Sequence, residues 1–149
     1  METGRKRVGL ALGGGGARGA GHVGVLEVLD REKVPVDCIA GTSVGSLVGA
    51  AYAAGIRGQR LAELARQTRW RNVARLVWPR DGLVCFAPLE GYLTRIVGDV
   101  TFADLEIPFA ALAADVATGE QIVLRTGRVA PAVRASCSVP GIVTPLDLD

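Results

Sequence analysis

The feature that most constrains the fold of this chain is a serine between two glycines, in the sequence Gly41-Thr42-Ser43-Val44-Gly45. The apolar run Cys38-Ile39-Ala40 precedes it, and the small-residue stretch from Ser46 to Ala54 follows it. This layout is typical of a nucleophile elbow, a sharp strand-to-helix turn that lifts a hydroxyl clear of a sheet. The flanking residues Gly41 and Gly45 lack side chains and let the helix pass close to the strand. A glycine-serine turn without chemistry is the alternative.

A glycine-rich segment lies upstream of this turn. A strand is predicted over Val8–Leu12, and it runs directly into Gly13-Gly14-Gly15-Gly16-Ala17-Arg18-Gly19. The periodic segment Ala20–Arg31 that follows predicts a helix. A loop of this kind presents bare backbone N–H groups at a helix N-terminus, where they can bind a phosphate or the oxyanion of a tetrahedral intermediate.

The glycine loop therefore has two competing interpretations. Gly14 to Gly19 satisfies the dinucleotide pattern G-x-G-x-x-G, which is weak when it stands alone. A dinucleotide site also needs a ribose-binding acid at the end of the second strand, but Asp37 opens that strand and Gly41 to Gly45 occupy its end. No Gly-Lys-Ser or Gly-Lys-Thr of a Walker loop follows. Because Ser43 stands at the neighbouring strand end, the oxyanion interpretation is favoured.

The base that would activate Ser43 is not a histidine of the usual triad. The single histidine, His22, falls in the first turn of the predicted helix and precedes Ser43, whereas the α/β-hydrolase order places histidine after the serine. His22 is therefore predicted to pack or to anchor the loop. A carboxylate is the expected general base.

With a third segment, Ala135-Ser136-Cys137-Ser138-Val139-Pro140-Gly141, these motifs resemble the successive signatures of bacterial patatin-like phospholipases, a likeness that extends from Val8 to Pro145. The resemblance implies an α/β fold whose mainly parallel central sheet is flanked by helices. It implies an acyl hydrolase that cleaves carboxylic esters of phospholipids or related lipids through a Ser-Asp dyad. The roles it implies are Ser43 as nucleophile and an oxyanion hole formed or braced by Gly14, Gly15, Gly16, Arg18 and Gly19.

The dyad aspartate that the resemblance implies has no clear counterpart. It is expected in an Asp-Gly-Gly or Asp-Gly-Ala motif, one strand and turn beyond Pro140-Gly141, and the sequence ends at Leu146-Asp147-Leu148-Asp149. We therefore expect residues 1–149 to form one patatin-like domain that is incomplete at its C-terminal end. Asp147 or Asp149 as the base, and a partner subunit that supplies the carboxylate, are alternatives. Asp115 is expected at a turn or strand end.

Composition narrows the remaining functions. A chain of 149 residues with 49% hydrophobic residues can bury a core as one domain, and its net charge of +2 does not indicate nucleic-acid binding. The three cysteines, Cys38, Cys85 and Cys137, suggest neither a disulfide framework nor a zinc site, and buried reduced thiols are expected. We expect no metal and no cofactor. A non-catalytic lipid-binding or interaction module on the same scaffold is the second function class.

Arginine and tryptophan crowd the region from Arg57 to Arg80, which also contains Trp70 and Trp78. Guanidinium groups bind lipid phosphate and indoles favour the headgroup level, so this Arg57–Arg80 segment predicts a membrane-facing surface. The alternative is a solvated helix face with both tryptophans in the core. Without a long apolar run, the sequence predicts a cytoplasmic protein, peripheral at membranes through this segment. Export by an upstream signal stays open.

The remaining elements follow from hydrophobic periodicity and turn signals. Helices are predicted over Gln59–Thr68, Pro88–Val97 and Val129–Ala135, and strands over Ile107–Ala114 and Gln121–Arg125. The segment from Ser136 to Gly141 is predicted to be a loop.

Overall fold

A computed structural model describes residues 4–78 and 82–148, with the backbone alone at residue 70. These residues form six α-helices and six strands. The strands are β1 (Gly9–Leu12), β2 (Cys38–Thr42), β3 (Arg75–Leu76), β4 (Val84–Cys85), β5 (Phe109–Ala114) and β6 (Gln121–Leu124). The helices are α1 (Ala20–Arg31), α2 (Val44–Ala53), α3 (Gly58–Gln67), α4 (Trp70–Val73), α5 (Ala87–Val97) and α6 (Val129–Cys137).

The central sheet has the strand order β1-β2-β5-β6. β1, β2 and β5 are parallel, and β6 pairs antiparallel with β5. Leu12 is in register with Gly41, and Thr42 with Leu112, so the carboxyl ends of the parallel strands meet at one edge. The prediction of a mainly parallel α/β sheet flanked by helices is confirmed. This edge is where open parallel sheets bind ligands.

Close approach of backbones fixes α2 over the sheet. A methyl group built on Gly45 would lie 2.0 Å from the carbonyl oxygen of Leu12, and one on Gly41 would lie 2.6 Å from the carbonyl oxygen of Gly45. One built on Gly49 would lie 3.0 Å from the Phe109 ring. The small residues of α2 therefore form the smooth face that lets this helix lie against the strands.

Asp37 has a structural task at the start of β2. Its carboxylate accepts hydrogen bonds from the Arg5 guanidinium at 2.5 and 2.7 Å and from the Val8 backbone N–H at 2.7 Å. The Arg5 hydrogen bond, followed by that of Val8, lowers the pKa of Asp37 to about 2. Both carboxylate oxygens are thus engaged within the chain, which agrees with rejecting Asp37 as a ribose-binding acid.

Several sequence predictions need correction. α6 continues through Cys137 instead of ending at Ala135, so Ser136 and Cys137 belong to a helix and not to the loop. β5 begins at Phe109 rather than at Ile107. α4 and the β3–β4 hairpin were not predicted, because they are too short to show a periodic pattern. Cys85 and Cys137 are buried free thiols as expected, but Cys38 is exposed, since its sulfur lies over Gly9, which has no side chain to cover it.

No helix among residues 4–78 and 82–148 has the length and apolar character needed to cross a bilayer.

The contact of Gly45 with Leu12 makes a test of the fold. We expect Gly45→Ala to lower the free energy of unfolding by about 1–3 kcal/mol, because the added methyl must push α2 off the end of β1. Gly24→Ala in α1 meets nothing within 4 Å and should be neutral or stabilising, by up to about 1 kcal/mol. Urea unfolding of both variants measures the difference. Equal stabilities would contradict the close-approach argument.

Candidate active site

Ser43 lies at the turn between β2 and α2 in an unusual backbone conformation. Its φ is 53° and its ψ is −123°, one of two non-glycine residues with positive φ among those described. The side-chain oxygen of a serine at a helix N-cap usually accepts a hydrogen bond from one of the first helical N–H groups. The Ser43 side chain makes no such capping hydrogen bond. The residue is half-buried. The strained turn therefore leaves the hydroxyl available for other chemistry.

The glycine loop lies directly against this turn. A methyl group built on Gly14 would lie 3.5 Å from Ser43 Cβ and 3.8 Å from the Thr42 carbonyl oxygen. On Gly19, at the end of the short turn Gly16–Gly19, such a methyl would lie 2.1 Å from the Val44 side chain. The sequence motifs of the loop and the elbow are thus in contact on adjacent strand ends.

Two further loop positions need glycine for conformational reasons. Gly15 has φ of 148° and Gly16 has φ of 56°, both in the region that favours a residue without Cβ. Arg18 is exposed and makes no side-chain hydrogen bond among the described residues. The structure therefore ties Gly14 and Gly19 to the elbow by contact, while a bracing role for Arg18 stays a prediction.

His22 anchors the loop. Its Nε2 lies 2.8 Å from the carbonyl oxygen of Gly13, on the residue that joins β1 to the glycine motif. The first turn of α1 thereby fixes the direction of the peptide plane that enters the loop. This contact accords with the loop-anchoring interpretation of His22 and engages the one histidine of the chain away from Ser43.

Ser136 connects α6 to the elbow. Its Oγ accepts a hydrogen bond of 2.8 Å from the Ser43 backbone N–H and donates one of 2.5 Å to the Leu112 carbonyl oxygen. The side chain is buried. A single hydroxyl thus joins the turn after β2 to the end of β5. Sequence reasoning missed this residue, because nothing in the spacing of positions 43 and 136 shows that they meet.

The neighbouring Cys137 also faces the elbow. Burial raises the pKa of its thiol to about 11, and hydrogen bonds with the side chains of Ser43 and Ser46 act against that rise. At neutral pH the group is therefore a protonated thiol beside the Ser43 hydroxyl. It cannot serve as a base. Ser46, which is fully buried, donates its own hydroxyl hydrogen to the Ser43 carbonyl at 2.6 Å.

The candidate carboxylates are placed elsewhere. Asp115 follows β5 and accepts hydrogen bonds from the backbone N–H groups of Ala117 and Thr118 at 2.8 Å each, so it is the turn residue that was expected. Asp147 is exposed and, with Asp115, lines a cleft of about 450 Å³ of which Ser43 is not a lining residue. Asp149 lies outside the described residues. Among residues 4–78 and 82–148, no carboxylate hydrogen-bonds to Ser43.

The Arg57–Arg80 segment divides into two parts. Arg57 lies 4.0 Å over the Tyr52 ring and pairs with Glu106, and Arg60 pairs with Glu63. Arg71 and Arg75, further along, are exposed. Trp78 is 87% exposed, so a core position for it is wrong. The Trp70 side chain and residues 79–81, with Arg80, lie outside the described part of the chain.

Known proteins share much of this sequence. The profile of the Patatin family, described as patatin-like phospholipase, matches residues 10–149. An uncharacterized NTE family protein of Mycobacterium tuberculosis is 36% identical over 146 residues, which cover 96% of this chain and 40% of that protein. Patatin-like phospholipase domain-containing protein 6 of Homo sapiens is 33% identical over 147 residues, 93% of this chain and 10% of its own length.

A solved structure shares the fold. The crystal structure of the type III effector protein ExoU matches with a TM-score of 0.70 at 15% identity, covering 92% of this chain and 40% of that one. The chain therefore spans well under half the length of these relatives. With the family profile matched from Leu10 to the last residue and the elbow and glycine loop in contact, this chain belongs to the patatin-like phospholipase family.

Proposed function

We propose that this chain carries the nucleophile and oxyanion half of a serine acyl hydrolase that cleaves carboxylic esters of phospholipids or related lipids. The observation that carries the proposal is Ser43, held at φ 53° with an uncapped hydroxyl, next to the backbone of Gly14. Its family members are lipid hydrolases, which gives the substrate class.

In the proposed reaction, Ser43 Oγ attacks the ester carbonyl carbon while a base removes the hydroxyl proton. The carbonyl oxygen becomes an oxyanion, and backbone N–H groups of the loop containing Gly14, Gly15, Gly16 and Gly19 stabilise its charge. Collapse of the tetrahedral intermediate breaks the ester C–O bond, the protonated base gives its proton to the departing oxygen, and the lipid alcohol leaves while the acyl group stays on Ser43. Water then hydrolyses the acyl-enzyme.

The base is proposed to be an aspartate outside the described residues, in the manner of a Ser-Asp dyad. Two observations support this. His22 is engaged with Gly13, and no described carboxylate hydrogen-bonds to Ser43. The longer relatives have additional chain in which such a residue can reside. The lack of a carboxylate hydrogen-bonded to Ser43 among the described residues also favours the second candidate function, a lipid-binding module without turnover.

A lipid surface is the proposed partner of this domain. The exposed Arg71, Arg75 and Trp78 within the Arg57–Arg80 segment support peripheral contact with a membrane.

The first test is labelling by a fluorophosphonate probe, which reacts only with an activated serine beside a formed oxyanion site. We expect labelling of the full-length protein to disappear in Ser43→Ala. Ser138→Ala is the matched control, because its hydroxyl bonds only the Arg134 carbonyl of its own helix end. Labelling retained in Ser43→Ala would show that another serine is the activated one and would contradict the role of Ser43. Labelling absent from the full-length protein would favour the non-catalytic module.

The second test addresses the glycine loop. The methyl of Gly14→Ala would lie 3.5 Å from Ser43 Cβ, at a distance that does not strain the backbone. We expect it to occupy space that an ester needs when it binds for attack by Ser43. We expect the labelling rate to fall by about tenfold or more, within the range that oxyanion donors contribute. Gly13→Ala meets nothing within 4 Å and should label at the original rate. Equal rates for the two variants would place the reacting carbonyl elsewhere.

The third test addresses Ser136 as a positioning residue. Ser136→Ala leaves the Ser43 N–H and the Leu112 C=O without their shared hydroxyl, a loss of about 1–3 kcal/mol for each unpaired buried group. We expect slower fluorophosphonate labelling at temperatures where the variant is still folded. Ser136→Thr keeps the hydroxyl and should restore most of the rate. A normal rate in a folded Ser136→Ala variant would show that the bond supports stability only.

A further inference from the structure

Exposed apolar side chains gather beside the loop that follows α6. Leu76 and Trp78 are 80% and 87% exposed, and Leu83 and Ile142 are 53% and 54% exposed. Val139 is the fifth exposed apolar residue of this group. Large apolar groups that cluster on a surface mark interaction sites. We call these five residues the composite patch.

Backbone hydrogen bonds join the two chain segments of the composite patch. The Val77 N–H donates to the Leu83 carbonyl at 3.2 Å, and the Leu83 N–H donates to the Ile142 carbonyl at 2.8 Å. Val84 and Val143 form a parallel bridge, and both are buried beneath. The patch is therefore a feature of the folded chain and not a set of unrelated loops.

Most charged residues in the chain segments of the composite patch are cationic. Between Glu63 and Glu90 the sequence has one acidic residue, Asp81, and between Glu120 and Asp147 it has none. The side chains of Arg66, Arg69, Arg71 and Arg75 are exposed. Within the described residues none of these four guanidinium groups has an ion-pair partner. Unpaired cations beside apolar groups complement a surface that is both anionic and oily.

Several other exposed apolar groups lie beside acidic side chains. Val25 and Val28 on α1 flank Glu27, which is exposed on the same helix. The exposed Val116 follows Asp115 in the chain, and the exposed Ile122 in β6 lies two residues after Glu120. The acidic side chain beside each of these groups disfavours contact with an anionic membrane.

Val139 brings one edge of the composite patch close to the candidate active site. Cys137 follows Ser136, whose Oγ accepts a hydrogen bond of 2.8 Å from the Ser43 N–H, and the Val139 N–H donates to the Cys137 carbonyl at 3.0 Å. Two residues of chain span at most about 7 Å. A lipid surface in contact with Val139 is therefore within a few side-chain lengths of the Ser43 hydroxyl.

We propose that the composite patch docks this domain on an anionic lipid bilayer. Trp78, Ile142 and their apolar neighbours enter the headgroup and acyl boundary, while Arg71 and Arg75 bind lipid phosphates. The proposed membrane-facing surface therefore contains only the second part of the Arg57–Arg80 segment, together with the loop after α6. The docking proposal depends on the proposed function in one respect, namely that the membrane delivers the ester which Ser43 attacks.

Charge is tested with vesicle flotation in a Ser43→Ala background, where no lipid is hydrolysed. We expect binding to phosphatidylcholine vesicles that contain phosphatidylglycerol to fall by about tenfold or more in Arg71→Glu/Arg75→Glu. Arg31→Glu/Lys33→Glu changes net charge equally at the far end of α1, and should retain most of the binding. Equal losses in both double variants would overturn the proposal, since the attraction would then be unspecific.

Apolar insertion is tested with Ile142→Ser against Val25→Ser, which removes an equally exposed apolar group from α1. We expect Ile142→Ser to weaken vesicle binding several-fold, and the fluorescence of Trp78 in a Trp70→Phe chain to shift to the blue on anionic vesicles. No shift, or unchanged binding of Ile142→Ser, would overturn the proposal. So would a change from dimer to monomer in Ile142→Ser with vesicle binding intact, which would assign the patch to a second copy.

Labelling of the patch variants by a soluble fluorophosphonate, without vesicles and with Ser43 present, separates the two proposals. Normal labelling with lost vesicle binding supports docking as a separate property. Lost labelling in every chain, with vesicle binding that still depends on the patch, contradicts the hydrolase and leaves the docking surface supported.

Discussion

The backbone contact between Gly45 and Leu12 is the constraint on which the site depends. With no side chain at position 45, the first turn of α2 lies on the carbonyl that ends β1. The chain must then turn sharply out of β2, and Ser43 takes up the strain of the turn with a positive φ. Such strain costs about 1–3 kcal/mol and persists only where surrounding structure holds it. Here it places one hydroxyl at the edge where the glycine loop also emerges.

Side chains of α1, α2 and α6 hold the turn and the glycine loop beside it. His22 fixes the entry to the glycine loop from α1, and Ser136 holds the Ser43 amide from α6 while it binds the end of β5. The buried Ser46 hydroxyl donates a hydrogen bond to the Ser43 carbonyl. A side chain held by rigid elements and satisfied polar contacts keeps its geometry more accurately than one on a free loop. The candidate nucleophile is thus held by side chains of α2 and α6, and the loop beside it by α1.

The C-terminal end of α6 connects the elbow to the exposed surface. α6 delivers Ser136 and Cys137 to the elbow, and the chain then continues at once into the exposed Val139 and Ile142. The β3–β4 hairpin packs beside this loop through backbone hydrogen bonds, with Gly82 close to the backbone of Val143 and Thr144. A lipid hydrolase has to take an ester from an interface in which the ester is poorly accessible. The proposed docking surface begins at Val139, three residues after Ser136, whose hydroxyl binds the Ser43 N–H.

The sequence by itself determined the parallel α/β core, the family, the elbow and the glycine loop, because these depend on local requirements. Gly41, Gly45, Gly15 and Gly16 are needed where backbones approach or φ is positive, and such needs are visible in a one-dimensional pattern. Only the tertiary structure decided that Ser136 binds the Ser43 amide, that α6 extends to Cys137, and that Cys38 and Trp78 are exposed. Those features arise from contacts between residues far apart in the chain, and residue spacing carries no information about which distant segments will pack together.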